Sequence, residues 1–163
     1  MTPQSTLQET ENFLSFSIAP NLKAMLATQQ LAEIINIAPH EIVPIPQMSG
    51  AIVGVFPWQG EVLWAVDLSY WMGFQPLLTA KFTSSNCSLL KVKIQGKSLG
   101  LLIEQVGQLI CCETQQIQAD PAALPSAILD HPARKSCIKG AWINSQGERL
   151  FILDADSLSS LDN

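Results

Sequence analysis

The sequence predicts a mainly β protein: two small β-barrels or sheets related by a pseudo-twofold, with a few short helices. Three observations carry that prediction. An apolar hairpin runs from Ile52 to Val66, a second copy of it lies near the C-terminus, and the strands before each copy echo one another, so the repeat covers nearly the whole chain. The length, 163 residues, suits one ordinary domain or two small halves sharing a core, and 47% hydrophobic residues are enough to fill it. Neither half is large enough to be comfortably stable alone, so the surface between them is expected to be apolar.

In the first hairpin, Ile52 to Phe56 and Glu61 to Val66 are apolar runs, the former rich in β-branched residues. Pro57-Trp58-Gln59-Gly60 between them has turn chemistry, Pro fixing φ and Gly permitting a positive one. Asp67 then stands where its side chain can cap a short helix whose Leu68, Trp71 and Met72 share a face and which Gly73 stops. The first copy reads Ile52-x-Gly54-x5-Gly60-x2-Leu63-x3-Asp67, the second Ile138-x-Gly140-x6-Gly147-x2-Leu150-x3-Asp154, with one extra turn residue. Phe56 corresponds to Trp142, Gln59-Gly60-Glu61 to Gln146-Gly147-Glu148, and Trp64 to Phe151. Asp154 is therefore expected to cap as Asp67 does.

Taken in order, residues 1–11 are expected to form a disordered tail before a domain at 12–160. Phe13 to Ile18 alternates as a first strand, ended by Ala19-Pro20-Asn21, and a second spans Lys23 to Thr28. Gln30-Leu-Ala-Glu-Ile-Ile35 contains good helix formers and predicts a short helical turn merging into a strand. Glu41 to Pro46 is too proline-rich for a central strand and suits an edge segment. After a polar connector, roughly Gln75 to Asn86, Leu89 to Ile94 and Leu99 to Ile103 form a hairpin around Gln95-Gly96-Lys97. Gln105 to Ile110 echoes Gln30 to Ile35, and a Pro-rich loop spans Pro121 to Lys135. The two halves are about 12–74 and 87–160.

Composition narrows the function. Net charge is −5 and the nine basic residues are scattered, which disfavours nucleic acid and anionic membranes as partners. Only 14% of residues are charged, a surface suited to standing protein partners. The acidic, polar N-terminus is no signal peptide and no apolar run reaches membrane-span length, so a cytoplasmic protein is expected. Cys87, Cys111, Cys112 and Cys137 form no CxxC and read as buried reduced thiols, with the adjacent pair pointing to opposite faces of a strand. With His40 and His131 in loops, neither a metal nor a cofactor is expected.

Catalysis has one form to weigh. Asp67 and Asp154 occupy equivalent positions, and a pseudo-twofold could join them as an aspartic-protease dyad. That dyad requires Asp-Thr/Ser-Gly, so the loop can approach the scissile bond, whereas the chain has Asp67-Leu68-Ser69 and Asp154-Ala155-Asp156. Capping explains both aspartates without further assumption. G-x-S-x-G, Walker and dinucleotide motifs are missing too. A pseudo-symmetric hydrolase or a metal-binding protein is the disfavoured alternative, and no catalytic residue is assigned.

Several stretches in order resemble the CheW family, the coupling proteins of bacterial chemosensory arrays. They are Phe13 to Ile18, Leu31-Ala-Glu33-Ile34, Ile45-Pro46, Ile52-x-Gly54-Val55, Gln59-Gly60-Glu61-Val62 and Ala65-Val66-Asp67-Leu68. Gly100-Leu-Leu-Ile-Glu104-x-Val106 and Ile138-x-Gly140 continue the pattern, so the resemblance spans about 12–160. It implies two SH3-like five-stranded barrels and a non-catalytic adaptor. The implied partners are a chemoreceptor cytoplasmic tip and the regulatory domain of a CheA-type histidine kinase, in arrays on the inner face of the membrane. The groove between barrels would take the receptor, and the barrel ends the kinase. The implied contact positions are Leu31, Glu33 and Ile34 and the turn before Gly60. Around that turn Phe56, Trp58, Gln59 and Gly60 are expected to meet the partner, Trp58 as an aromatic anchor unless its ring folds back over Phe56 or the following helix. At that turn the family usually has Asn-x-Arg-Gly; here it is Pro57-Trp58-Gln59-Gly60, which removes a fixed charge and a bidentate donor.

Overall fold

Alternating apolar residues make ten strands of the described chain, and their pairing gives two five-stranded sheets. The structure is a computed structural model and describes residues 9–47, 50–77, 86–119 and 124–162. The strands are β1 (Thr10–Ala19), β2 (Leu22–Ala27), β3 (Leu31–Ile37), β4 (Ile52–Trp58), β5 (Glu61–Asp67), β6 (Cys87–Ile94), β7 (Lys97–Ile103), β8 (Gln105–Glu113), β9 (Ile138–Ile143) and β10 (Arg149–Leu153). Helices α1 (Leu68–Trp71), α2 (Ser126–Leu129) and α3 (Pro132–Lys135) are single turns, and a 3-10 segment, Ala155–Asp162, follows β10.

One sheet has the order β8-β1-β2-β10-β9 and the other β3-β6-β7-β5-β4. Equating β1 to β5 with β6 to β10 turns either order into the other, which is the pseudo-twofold the repeat predicts. Its register agrees: in the parallel β10–β2 pair Phe151 lies beside Ala24, and in the parallel β5–β7 pair Trp64 lies beside Leu99. The halves 12–74 and 87–160 are not the barrels, however. Each barrel combines two strands of one half with three of the other, so the halves are exchanged.

Each sheet curls around its own apolar interior. Phe13, Met25, Cys112, Leu150 and Ile152 fill the first barrel (β1, β2, β8, β9, β10). Ile35, Ile37, Ile42, Phe56, Leu63, Ala65, Leu89 and Leu102 fill the second (β3 to β7). The opposite faces meet in a shared layer that includes Leu14, Phe16, Leu26, Leu90, Val92, Leu101, Phe151 and Leu158. The interface between barrels is thus apolar, as the size argument requires.

Five expectations need correction. Of the expected tail at 1–11, residues 1–8 lie outside the described residues, but Thr10 and Glu11 open β1 opposite Glu113 and Cys112. Leu31 to Ile35 is strand throughout, because pairing with β6 outweighs its helix-forming residues. The hairpin turn is the two residues Gln59-Gly60, with φ of 49° and 83°; Pro57 and Trp58 belong to β4 and pair with Val62 and Glu61. This is the primed two-residue turn that matches strand twist, and β4 is an edge strand, where proline is tolerated. The Pro-rich loop holds α2 and α3, and its residues 120–123, like 78–85 of the connector, lie outside the described residues. The thiols also differ among themselves: Cys112 and Cys137 are buried, Cys87 is half-buried and Cys111 is exposed.

Candidate functional site

Strand alternation decides which of the expected contact residues can meet a partner. On β3, Ile35 faces the interior of the second barrel beside Leu89, so Glu33, opposite Lys91, lies on that same face nearer the barrel end. Ile34 pairs with Leu90 on the other face and is 45% exposed. Leu31 is half-buried against the layer between barrels.

At the end of the second barrel four side chains converge. Trp58 follows Phe56 along the inner face of β4 and packs, half-buried, on the interior cluster. Its indole N–H donates to Glu33 Oε2 at 3.0 Å. Lys91 Nζ donates to Glu61 Oε2 at 2.8 Å, so Lys91 is engaged across the barrel rather than by Glu33, its neighbour in register. This hydrogen bond and the Lys91 charge lower the Glu61 pKa. The result is a barrel mouth closed by Trp58, with one lysine between two glutamates. Ile34 stands on the outer face, and Gln59 and Gly60 form the exposed turn.

Phe56 does not belong to such a surface. It is 1% exposed inside the barrel, and a methyl group added at Gly100 would meet its ring at 3.2 Å. Trp58 does two things at once: its ring covers the interior containing Phe56, while its polar edge holds Glu33. Sequence reasoning missed Lys91 and Glu61. The register of two hairpins would have placed them beside Glu33 and Trp58, but that register depends on which strands pair.

Asp67 is held by its own chain segment, and Asp154 by its own segment and by Gln30 of the other half. Asp67 is buried; its Oδ1 accepts from the Tyr70 N–H at 3.0 Å and its Oδ2 from the Leu77 N–H at 2.7 Å. Asp154 accepts from Gln30 Nε2 at 3.0 Å, from Ser157 Oγ at 2.9 Å and from the Asp156 N–H at 3.2 Å. Among the described residues no group of three or more His, Cys, Asp or Glu side chains could hold a metal ion, and no helix is long and apolar enough to cross a membrane.

The family model of the CheW-like domain matches residues 12–162. A similar solved structure is that of the scaffolding protein TtCheW from Thermoanaerobacter tengcongensis, with a TM-score of 0.72 over 90% of each chain at 18% identity. At that identity the likeness is one of fold. No curated protein matches the sequence.

Proposed function

The chain belongs to the CheW-like domain family, and on that premise we propose that it is a non-catalytic adaptor that couples a chemoreceptor tip to a CheA-type histidine kinase. The observation that carries the reading is the span of the family match, which takes in the described strands from β1 onwards. The second barrel's end fits the kinase side of such a bridge. It offers an exposed aliphatic residue, Ile34, beside a carboxylate, Glu33, whose position the Trp58 indole fixes. An exposed apolar residue on the outer face with an oriented charge at the barrel end suits a contact whose apolar part is bordered by a polar rim. Leu31, Gln59 and Gly60 extend the surface on either side. The adaptor's place of work is the cytoplasmic face of a receptor array.

Calorimetric titration against a CheA-type regulatory domain and a receptor-tip fragment from the same organism tests the proposal. Both are expected to bind, and Ile34→Asp is expected to weaken kinase binding at least tenfold while leaving the melting temperature unchanged. If neither fragment binds, the adaptor reading fails. Gln59→Arg, which restores the arginine usual in the family, is expected to shift preference among kinases or receptors from different arrays.

A further inference from the structure

At the mouth of the second barrel Lys91 has two carboxylates beside it and holds one. It is the register partner of Glu33 on the neighbouring strand, where side chains directly opposite stand close enough to pair. Its ammonium nevertheless goes to Glu61 Oε2, at 2.8 Å. The Trp58 N–H takes Glu33 Oε2 instead, at 3.0 Å. A neutral donor orients a carboxylate without cancelling its charge, whereas an ammonium does both. The two glutamates therefore differ in what they show outward. Glu61 is compensated by Lys91, and Lys93, exposed further along β6, adds its charge on the same side. Glu33 is left without a counter-charge. Among the described residues no cation lies within ion-pair distance of it, and its Oε1 accepts no hydrogen bond.

We infer that the kinase-side partner lays a basic side chain, arginine or lysine, on Glu33, and that Glu61 is a positioning residue for this contact, because it occupies the lysine that would otherwise neutralise Glu33. The inference deepens the adaptor reading and rests on it. Glu33 is already half-buried, and a partner covering this barrel end removes more of its water. A carboxylate covered without a counter-charge is costly, so an apolar or acidic group set there is rejected. A basic group offsets that cost with a charge-assisted hydrogen bond to the free Oε1, while the indole keeps Oε2 in place. Lys91 cannot do this from within as long as Glu61 holds it, and Glu61 is the more exposed member of that pair, at 52% against 14%. The selectivity of the mouth for a basic partner thus depends on a residue that the partner need not touch.

The test is calorimetric titration of the whole chain with the CheA-type regulatory domain at low and at high salt. Wild-type binding should weaken by about tenfold from low to high salt, since an ion pair at an interface rim is screened. Glu33→Gln still accepts from the indole; at low salt it should bind at least about tenfold more weakly than the wild type and lose most of the salt dependence. Glu61→Gln frees Lys91 to turn to Glu33 and should imitate Glu33→Gln. Glu61→Gln combined with Lys91→Gln leaves Glu33 uncompensated again and should recover the wild-type affinity, which a merely supporting role for Glu61 would not produce. Melting temperatures show which variants are folded, and Glu33→Gln and Glu61→Gln decide between them if the double variant is not. A wild type that does not bind overturns the adaptor reading and this inference together. With a binding wild type, three results overturn this inference alone: undiminished affinity in Glu33→Gln, undiminished affinity in Glu61→Gln, or a folded double variant as weak as Glu61→Gln.

Discussion

Asp67 and Asp154 share a repeat position, yet their surroundings predict unequal losses. Removing Asp67 strips an acceptor from two backbone N–H groups inside the fold, those of Tyr70 and Leu77. Asp67→Ala is therefore expected to destabilise by about 2–3 kcal/mol, more than the ~1 kcal/mol of an ordinary N-cap that suits Asp154→Ala; urea denaturation of both variants checks the order. Asp154 also links stability to pH. Burial opposes its ionisation, but the hydrogen bonds from Gln30 and Ser157, the Lys139 charge and the Asp156 N–H outweigh it and hold the pKa below the usual 3.8. A folded-state pKa below the unfolded one gives stability that is complete above the unfolded value and disappears as pH falls through the folded value. The melting-temperature advantage of the wild type over Asp154→Asn should accordingly be largest near neutrality and shrink below the ordinary aspartate range; a constant difference down to acid would contradict this. The thiols separate in the same way. Burial, aided by the Asp154 charge against a hydrogen bond from Ser136, pushes Cys137 up to about 12, while Cys111 is exposed. Iodoacetamide should modify native protein first at Cys111, and reach Cys137 only at the rate of unfolding.

At the scale of elements, the paired glycines of the repeat acquire a reason. Gly54 and Gly140 each lie where an incoming segment crosses the hairpin, through the bridges Val43–Val55 and Gln118–Ala141. A Cβ on Gly54 would sit 2.1 Å from the Val43 carbonyl oxygen, and one on Gly140 2.5 Å from that of Gln118. Because the obstacle is backbone, neither site can relax by a rotamer change. Gly54→Ala and Gly140→Ala should each destabilise by about 2 kcal/mol or more, measurable as a lower urea midpoint. The hairpins themselves were legible, since Gln59-Gly60 and Gln95-Gly96 announce tight turns between apolar runs. β3 was not, because Leu31 to Ile35 is composed of residues that suit a helix and becomes a strand only by pairing with β6. The site was legible in part. Glu33, Trp58 and the turn converge, whereas Phe56 follows the inner-face alternation of β4 into the core, and which face is inner depends on the sheet.

The exchange of strands between halves is the feature of the whole molecule that a repeat cannot reveal. Matching residues establish that Asp67 and Asp154, or Gln30 and Gln105, are equivalent; they do not say whether β5 pairs with β2 of its own half or β7 of the other. The structure chooses β7, and β10 chooses β2, so both parallel pairs join one half to the other. The pairs β1–β8 and β3–β6 cross between halves as well. Among the described residues, the ladders within a half are only those between β1 and β2, β4 and β5, β6 and β7, or β9 and β10. Isolated hairpins of this kind are marginal in water, because most of the apolar face of each is covered by strands it lacks. Fragments 1–77 and 86–163, made by leaving out residues 78–85, should consequently each show no cooperative thermal transition. Mixed in equal amounts, they should recover one transition and the two-barrel fold, with a midpoint that rises with concentration, as association requires. A fragment that melts cooperatively alone would mean that its three-strand and two-strand portions pair with each other, contrary to the exchanged order.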